Sequence, residues 1–241
     1  MGFLINPFMV APGGPQSPSD LANLVRWYKA DSFSLSDGTA IGGTGKEWID
    51  QSAGGANLTN SGADQPVFKT NIFGSMPAVR FSTSHLDMPS LTMAGSLTVV
   101  LISKKSDTND SIVLGDQALN TQLRIDYSGL NELALTPVGS TEAISGNFSN
   151  ASTVLRCQIA RRESSVNPNT SEFRENKTYR GGGAFDAGVH NMTWSLVGSA
   201  FFGGFNYNGD IAELCIYSQF QTNSDLDALY DNYFKPRWGL P

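Results

Sequence analysis

The chain has 241 residues, 40% of them apolar and 16% charged, with a formal net charge of −6. That apolar share fills a sizeable core, and all-β sandwiches of this length commonly form one domain. The acidic balance excludes the basic footprint of a nucleic-acid binder and opposes attraction to anionic membranes.

Residues 1–19, MGFLINPFMVAPGGPQSPS, read as an extended arm ahead of a domain at 20–241. Proline removes backbone donors and biases the residue before it away from helix. Phe3, Leu4, Ile5, Phe8, Met9 and Val10 make the arm apolar, so it is expected to lie on a surface, the alternative being a disordered tail. That surface is its own domain, a neighbouring copy or another protein. The run is too short to span a bilayer, so no membrane insertion is expected. It also lacks the basic leader and cleavage site of an export signal. The Asn-x-Ser/Thr sequences at Asn57, Asn147, Asn150 and Asn191 then read as by-products of composition.

From Leu24 the pattern is β. VRWYKAD, KEWID at 46–50 and PAVRFS at 77–82 are expected strands, with a Gly-rich turn at Ala53-Gly54-Gly55. SLTVVLISKK at 96–105 is continuously apolar, which predicts a strand buried on both faces. SIVLG, QLRIDY and ELALTP follow. In QLRIDY, Leu123, Ile125 and Tyr127 alternate with Gln122, Arg124 and Asp126, the rhythm of a strand with one solvated face. TVLRCQIARRE at 153–163 repeats it, and Arg156, Arg161 and Arg162 read as the solvated side of that strand. Gly181-Gly182-Gly183 reads as a flexible loop. TWSLVG and GDIAELCIYS complete the strand set; in the last, Ala212, Leu214 and Ile216 oppose Glu213, Cys215 and Tyr217. Many short strands separated by turn signals predict a sandwich or barrel.

One helix is expected, in TNSDLDALYDNYFKP, capped by Ser224 and ended by Pro236. Leu226, Leu229, Tyr230, Tyr233 and Phe234 form one apolar stripe. Burying each is worth about 1.5–3 kcal/mol, so the helix should dock on the sandwich. Cys157 and Cys215 fall in apolar strand patterns and read as small buried hydrophobes, a mutual disulfide being open if their strands are neighbours.

No catalytic centre is legible. Glu172 and Glu175, three apart, would point to opposite faces of a strand, whereas glycoside hydrolysis needs two carboxylates flanking one bond. G-x-S-x-G is missing. GGTGKEW fails as a phosphate loop, with Ala40 and Glu47 at its fixed positions. His85 and His190 lack zinc-site spacing, and Asp31 to Asp37-Gly38 lacks the alternating oxygens of an EF-hand. Trp27, Trp48 and Trp194 are expected in the core. The best recognition candidate is the run Phe201 to Asn208: Phe202, Phe205 and Tyr207 offer rings for stacking on sugar C–H faces, and Asn206 an amide for hydroxyls. The alternative is a strand–turn–strand with these aromatics in the core.

LVRWYKADS, DGTAIGGTGKEWIDQSAGGANLT and QPVFKTNIFGSMPAVRFSTSHLDMP, with the closing GDIAELCIYSQFQTNSDLDALYDNYFKPRWGL, together resemble the concanavalin A-like lectin/glucanase superfamily in its laminin G-like branch. The resemblance covers 21–105 and 208–240; the middle, 106–207, carries no motif of that family. It implies a two-sheet antiparallel jelly roll. It also implies a role as sugar-binding module, adhesin, hydrolase or structural module of phage particles. Some relatives bind calcium through loops, so calcium stays open here with no ligands placed, and no other cofactor is expected. GFLINPF also resembles the anchoring starts of phage virion proteins. The expectation is therefore a non-enzymatic virion structural protein, a capsid decoration or fibre component on the particle exterior. The arm would dock on other virion proteins in a homo-oligomer such as a trimer. The alternative is a lectin or adhesion module recognising surface glycans.

Overall fold

A period-two hydrophobic rhythm turns alternate side chains of each strand towards a shared apolar layer. In the computed structural model these strands pair into two sheets. It describes residues 14–118, 121–125, 132–137, 143–144, 154–164, 170–184, 191–199 and 205–241. The strands are β1 (Leu24–Lys29), β2 (Val67–Phe73), β3 (Met76–Ser82), β4 (Leu86–Met93), β5 (Leu97–Lys105), β6 (Ser111–Gly115) and β7 (Gln122–Ile125). They continue with β8 (Leu133–Thr136), β9 (Ala143–Ile144), β10 (Arg156–Glu163), β11 (Thr170–Glu175), β12 (Thr178–Ala184), β13 (Met192–Val197) and β14 (Asn208–Tyr217). The eight-stranded sheet runs β12-β11-β10-β5-β14-β3-β2, and β1 also pairs with β14. β3 lies along Asn208–Ile211 of β14, whereas β1 lies along Glu213–Tyr217. The second sheet runs β4-β13-β6-β7-β8-β9. The named strand pairs are antiparallel, as the sandwich expectation requires.

Two apolar layers result. Between the sheets, Leu97, Val99 and Leu101 of β5 and Leu214 and Ile216 of β14 meet Leu123, Ile125, Leu133, Leu135 and Trp194 of the opposite sheet. On the outer side of the larger sheet, Val100, Ile102, Cys157, Ile159, Cys215 and Tyr217 carry Leu226, Leu229, Tyr230, Phe234 and Trp238. This is why β5 carries apolar residues on both faces from Val99 to Ile102: the C-terminal helix covers the face that would otherwise meet water. A bulge between Ile211 and Glu213 departs from simple alternation. It puts Ile211 in the inner layer and Ala212 in the outer one, not beside Leu214 and Ile216.

The helical stretch starts one residue pair earlier and ends later than its sequence suggests. α1 (Asn223–Leu229) is capped by Thr222, whose hydroxyl accepts from Asp225 N at 3.1 Å; Ser224 is inside the helix. Tyr230–Phe234 widens to a π-helical turn, and α2 (Lys235–Trp238) follows, with Pro236 in its first turn. Proline lacks the N–H that would reach back four residues. The widened turn absorbs that gap, and Gly239, at φ 67°, ends the helix instead.

Several sequence expectations are corrected. KEWID is not a strand; Trp48 makes only an isolated bridge to Leu58. Arg161 and Arg162 are fully buried, not solvated, because β10 lies inside the sheet and is covered on both sides. Arg162 donates to the carbonyls of Met93 and Gly95, and burial lowers its guanidinium pKa to about 10. Arg161 donates to Gln221 O and Asn223 Oδ1, each at 2.6 Å, and pairs with Glu172. Gln122, on the supposedly solvated face of β7, is buried. Gly181-Gly182-Gly183 is not a loop but part of β12, paired with β11. Trp27, Trp48 and Trp194 are buried as expected, Trp27 in the outer layer. Cys157 and Cys215 are free, buried in the same layer, and burial raises both thiol pKa values.

One acid stands in the outer layer. Glu213 has no exposed surface, yet it faces three neutral donors. Its Oε1 accepts from Trp27 Nε1 at 2.5 Å and from Tyr233 OH at 3.1 Å, and its Oε2 accepts from Trp238 Nε1 at 2.6 Å. Burial pushes its carboxyl up to about 7, against the pull of these bonds and of Arg237. Arg237 is itself paired with Asp31.

Candidate functional site

The outer face of the six-stranded sheet carries part of the run singled out in the sequence as a recognition candidate. Leu123 and Ile125 join the inner layer, so Arg124 between them points outward. Arg124 lies opposite Ile112 of β6. On the other side of β6, Ile112 N donates to Phe205 O at 2.7 Å, and Asn206 forms a parallel bridge to Ile112. Arg124 and Phe205 therefore flank one residue, and the guanidinium carbon sits 5.1 Å from the Phe205 ring centroid. The attraction of a cation for a ring face holds that ring in place. Asp110 stands 3.7 Å from Arg124. Asn206 Oδ1 accepts from Ser199 Oγ at 2.6 Å, which fixes the amide so that its N–H₂ group is turned away from Ser199. Phe205 is 43% exposed, a large apolar ring kept at the surface.

The candidate run thus splits. Phe205 and Asn206 belong to one surface cluster. Tyr207 does not: it is fully buried, edge-on to Phe81 at 6.0 Å, as the core alternative anticipated. Phe202 lies outside the described residues, as do Phe3, Leu4, Ile5, Phe8, Met9 and Val10 of the arm. Where the described chain begins, it rests on α1 and the π-helical turn: Asn232 Nδ2 of the turn donates to Pro15 O at 3.4 Å, and a Cβ on Gly14 would stand 2.8 Å from that of Ala228 in α1.

A second, polar group lies near the other end of β6. Ser195 Oγ donates to Asp116 Oδ2 at 2.9 Å and accepts from Gln117 N at 3.0 Å. Gln117 Nε2 donates to Asp87 Oδ1 at 3.2 Å. His85 bridges Asp64, 2.8 Å from Nδ1, and Asp87, 3.7 Å from Nε2. From Ile112 to Asp116 is four residues, roughly 13 Å along a strand. A ligand of two or three sugar units spans that distance. Arg124 was visible in the sequence only as half of an alternation, and nothing local marks Gln117, Asp87 and Ser195, which the sheet gathers from separate segments.

The other motifs are structural. Asp37 accepts from Lys69 Nζ and Thr70 N, which hold its carboxyl below the ordinary range, and Asp31 pairs with Arg237. Gly42, at φ 109°, leaves no room for a side chain, since a Cβ would stand 2.6 Å from Asn60 N. Glu172 and Glu175 take opposite faces of β11: Glu172 meets Arg161 on the helix side, whereas Glu175 is buried against Arg156 and Arg180. Among the described residues no group of three His, Cys, Asp or Glu side chains could hold a metal ion. No helix among them is long and apolar enough to cross a membrane.

No protein-family model and no curated protein sequence matches the chain. Solved structures do. The binding domain of Paraclostridial Mosquitocidal Protein 1 is similar at TM-score 0.52 and 12% identity, over 93% of this chain and 56% of that one. A protein from Bacteroides ovatus, described as a candidate carbohydrate-binding protein, is similar at TM-score 0.50 and 14% identity, over 63% of this chain and 46% of that one. Domain 4 of an extracellular arabinanase from Geobacillus stearothermophilus, solved with arabinotriose, covers 86% of this chain and 98% of its own at 15% identity and TM-score 0.49. At these identities the likeness is one of fold alone, the two-sheet antiparallel sandwich.

Proposed function

We propose that this chain is a non-catalytic carbohydrate-binding module whose site is the outer face of the six-stranded sheet. The observation that carries the reading is Phe205, an exposed ring braced by Arg124 and flanked by the fixed amide of Asn206. A sugar ring presents C–H groups on one face and hydroxyls around its rim. The negative face of an aromatic ring attracts the former, and amides, carboxylates and hydroxyls bond the latter. Asp87, Gln117, Ser195 and Asp116 supply such groups further along the sheet. The fold itself hosts many functions, so the site and not the likeness bears the argument.

A glycan array with wild type and Phe205→Ala tests it. Selective binding at millimolar affinity or better is expected, weakened about tenfold or more in the variant with the melting temperature unchanged. An array without selective binding, or equal binding by the variant, overturns the proposal. The virion reading, with the arm as anchor, rests on residues 3–10, outside the described residues; it names a setting in which such a module would serve as a host-surface adhesin.

A further inference from the structure

The β11–β12 hairpin carries an exposed aromatic ring of a different construction. On β11, Ser171 and Phe173 turn inward, so Glu172 and Arg174 face outward, beside α1. Across the ladder, Gly182 stands opposite Glu172 and Tyr179 opposite Arg174. A bulge at this point sends Arg180 inward to Glu175 and leaves Tyr179 outside. Tyr179 is 60% exposed, more than any other large apolar side chain described.

The three glycines explain how that ring is held. A Cβ on Gly182 would collide with the Ser171 carbonyl and stand 3.3 Å from the Tyr179 hydroxyl. The tyrosine hydroxyl therefore reaches the edge of the space that a side chain at 182 would enter. At 60% exposure, much of the ring stays open to solvent. Ser171 pins the strand, donating to Gly183 O at 3.0 Å and accepting from Gly183 N at 3.1 Å. Beside the ring, Glu172 is aimed by the fully buried Arg161, which is itself fixed by Gln221, Asn223 and the ring of Phe220 at 4.2 Å. Thr170, Ser171, Glu172, Tyr179, Gly182 and Gly183 line an open groove of about 410 Å³. That size admits a small ligand.

We propose that this groove is a second carbohydrate site, separate from the Phe205 face, that takes a neutral sugar ring: the ring stacks on Tyr179 and its hydroxyls donate to Glu172. An oriented carboxylate accepts hydroxyl protons, and the nearby cations, Arg161 and Arg174, are buried and already paired with Glu172 and Asp227, so nothing here holds the carboxylate of a sialylated sugar and the site selects neutral glycans. This extends the sugar-binding reading but does not depend on the Phe205 site.

The test is a titration of the full ¹⁵N-labelled chain with arabinotriose, cellotriose and mannotriose, and with 3′-sialyllactose as the anionic control, followed by amide shifts. At least one neutral trisaccharide should shift the amides of 170–183, and sialyllactose should not. Tyr179→Ala should weaken that response about tenfold or more, while Tyr179→Phe, which keeps the ring, should retain it. Phe205→Ala should leave the hairpin response intact. Shifts confined to the Phe205 face would overturn this second site and leave the first standing; shifts confined to the hairpin would do the reverse. A hairpin response equal for sialyllactose, one surviving in Tyr179→Ala, or none with any sugar would also overturn the proposal.

Discussion

Replacing Glu213 by Gln should make folding stability less dependent on pH, and the size of the change follows from where the acid sits. Glu213 is fully buried and its carboxyl is pushed from the ordinary 4.5 up to about 7. A folded-state value above the unfolded one means that the native protein holds the proton more tightly than the unfolded chain. The stabilisation from the protonated form is complete below the unfolded value and is lost as pH rises through about 7. Between about pH 4 and about pH 8 the loss amounts to roughly 3 kcal/mol. The glutamine variant has its own penalty, because its amide turns a donor towards one of the indole or phenol donors, but that penalty does not change with pH. Urea denaturation followed by tryptophan fluorescence is a suitable assay, since Trp27 and Trp238 both bond this acid. The difference in stability between the two proteins should tilt by roughly 3 kcal/mol in favour of the variant across that range. Parallel curves, within about 0.5 kcal/mol, would refute the account of Glu213 as a carboxyl that is costly to ionise.

Other outcomes follow from the same geometry. Leu229→Asp puts a charge into the fully buried outer layer and should destabilise the domain by about 3 kcal/mol or more, seen as a fall in melting temperature; an unchanged value would deny that the helix is docked. Thr222→Ala removes the helix cap and should cost about 1 kcal/mol, whereas Ser224→Ala should stay within a few tenths; the reverse ranking in denaturant midpoints would contradict the observed cap. Gly182→Val should destabilise the β11–β12 hairpin by forcing Tyr179 and the Ser171 carbonyl aside, read as faster amide hydrogen exchange at 170–183.

The sandwich was legible because its signal is collective. β5, β7, β10 and β14 each carry the alternation or continuous run that a buried strand needs, and the stripe from Leu226 to Phe234 announces a docked helix. What the sequence concealed depends on neighbours. Arg161 and Arg162 look solvated until β10 is placed inside the sheet, where carbonyls of Met93, Gly95 and Gln221 satisfy them. The sequence pointed to Ser224 as the cap, and the path of the chain into the helix gives that role to Thr222, two residues earlier. The recognition candidate was half visible: Phe205 and Asn206 sit at the surface, but adjacent Tyr207 is drawn into the core by Phe81. The partner of Phe205 comes from β7 and that of Asn206 is Ser199, so no local motif could have named them. The glycine triplet looked like a flexible loop because composition cannot reveal that a side chain at 182 would strike the Ser171 carbonyl across the ladder.

The position of β14 has a consequence for how the molecule assembles. This strand is made after all the others, yet it is the seam between β5 on one side and β1 and β3 on the other. The clasp beside it joins Asn23 to Gln219, 196 residues apart. Until those last strand residues leave the ribosome, β1 has no ladder to join and β5 keeps an open edge. Such non-local closure is slow, and the waiting edge invites pairing with the wrong chain. Nascent chains stalled before residue 208 should therefore recruit holdase chaperones, and release of the remaining residues should seal both apolar layers in one step.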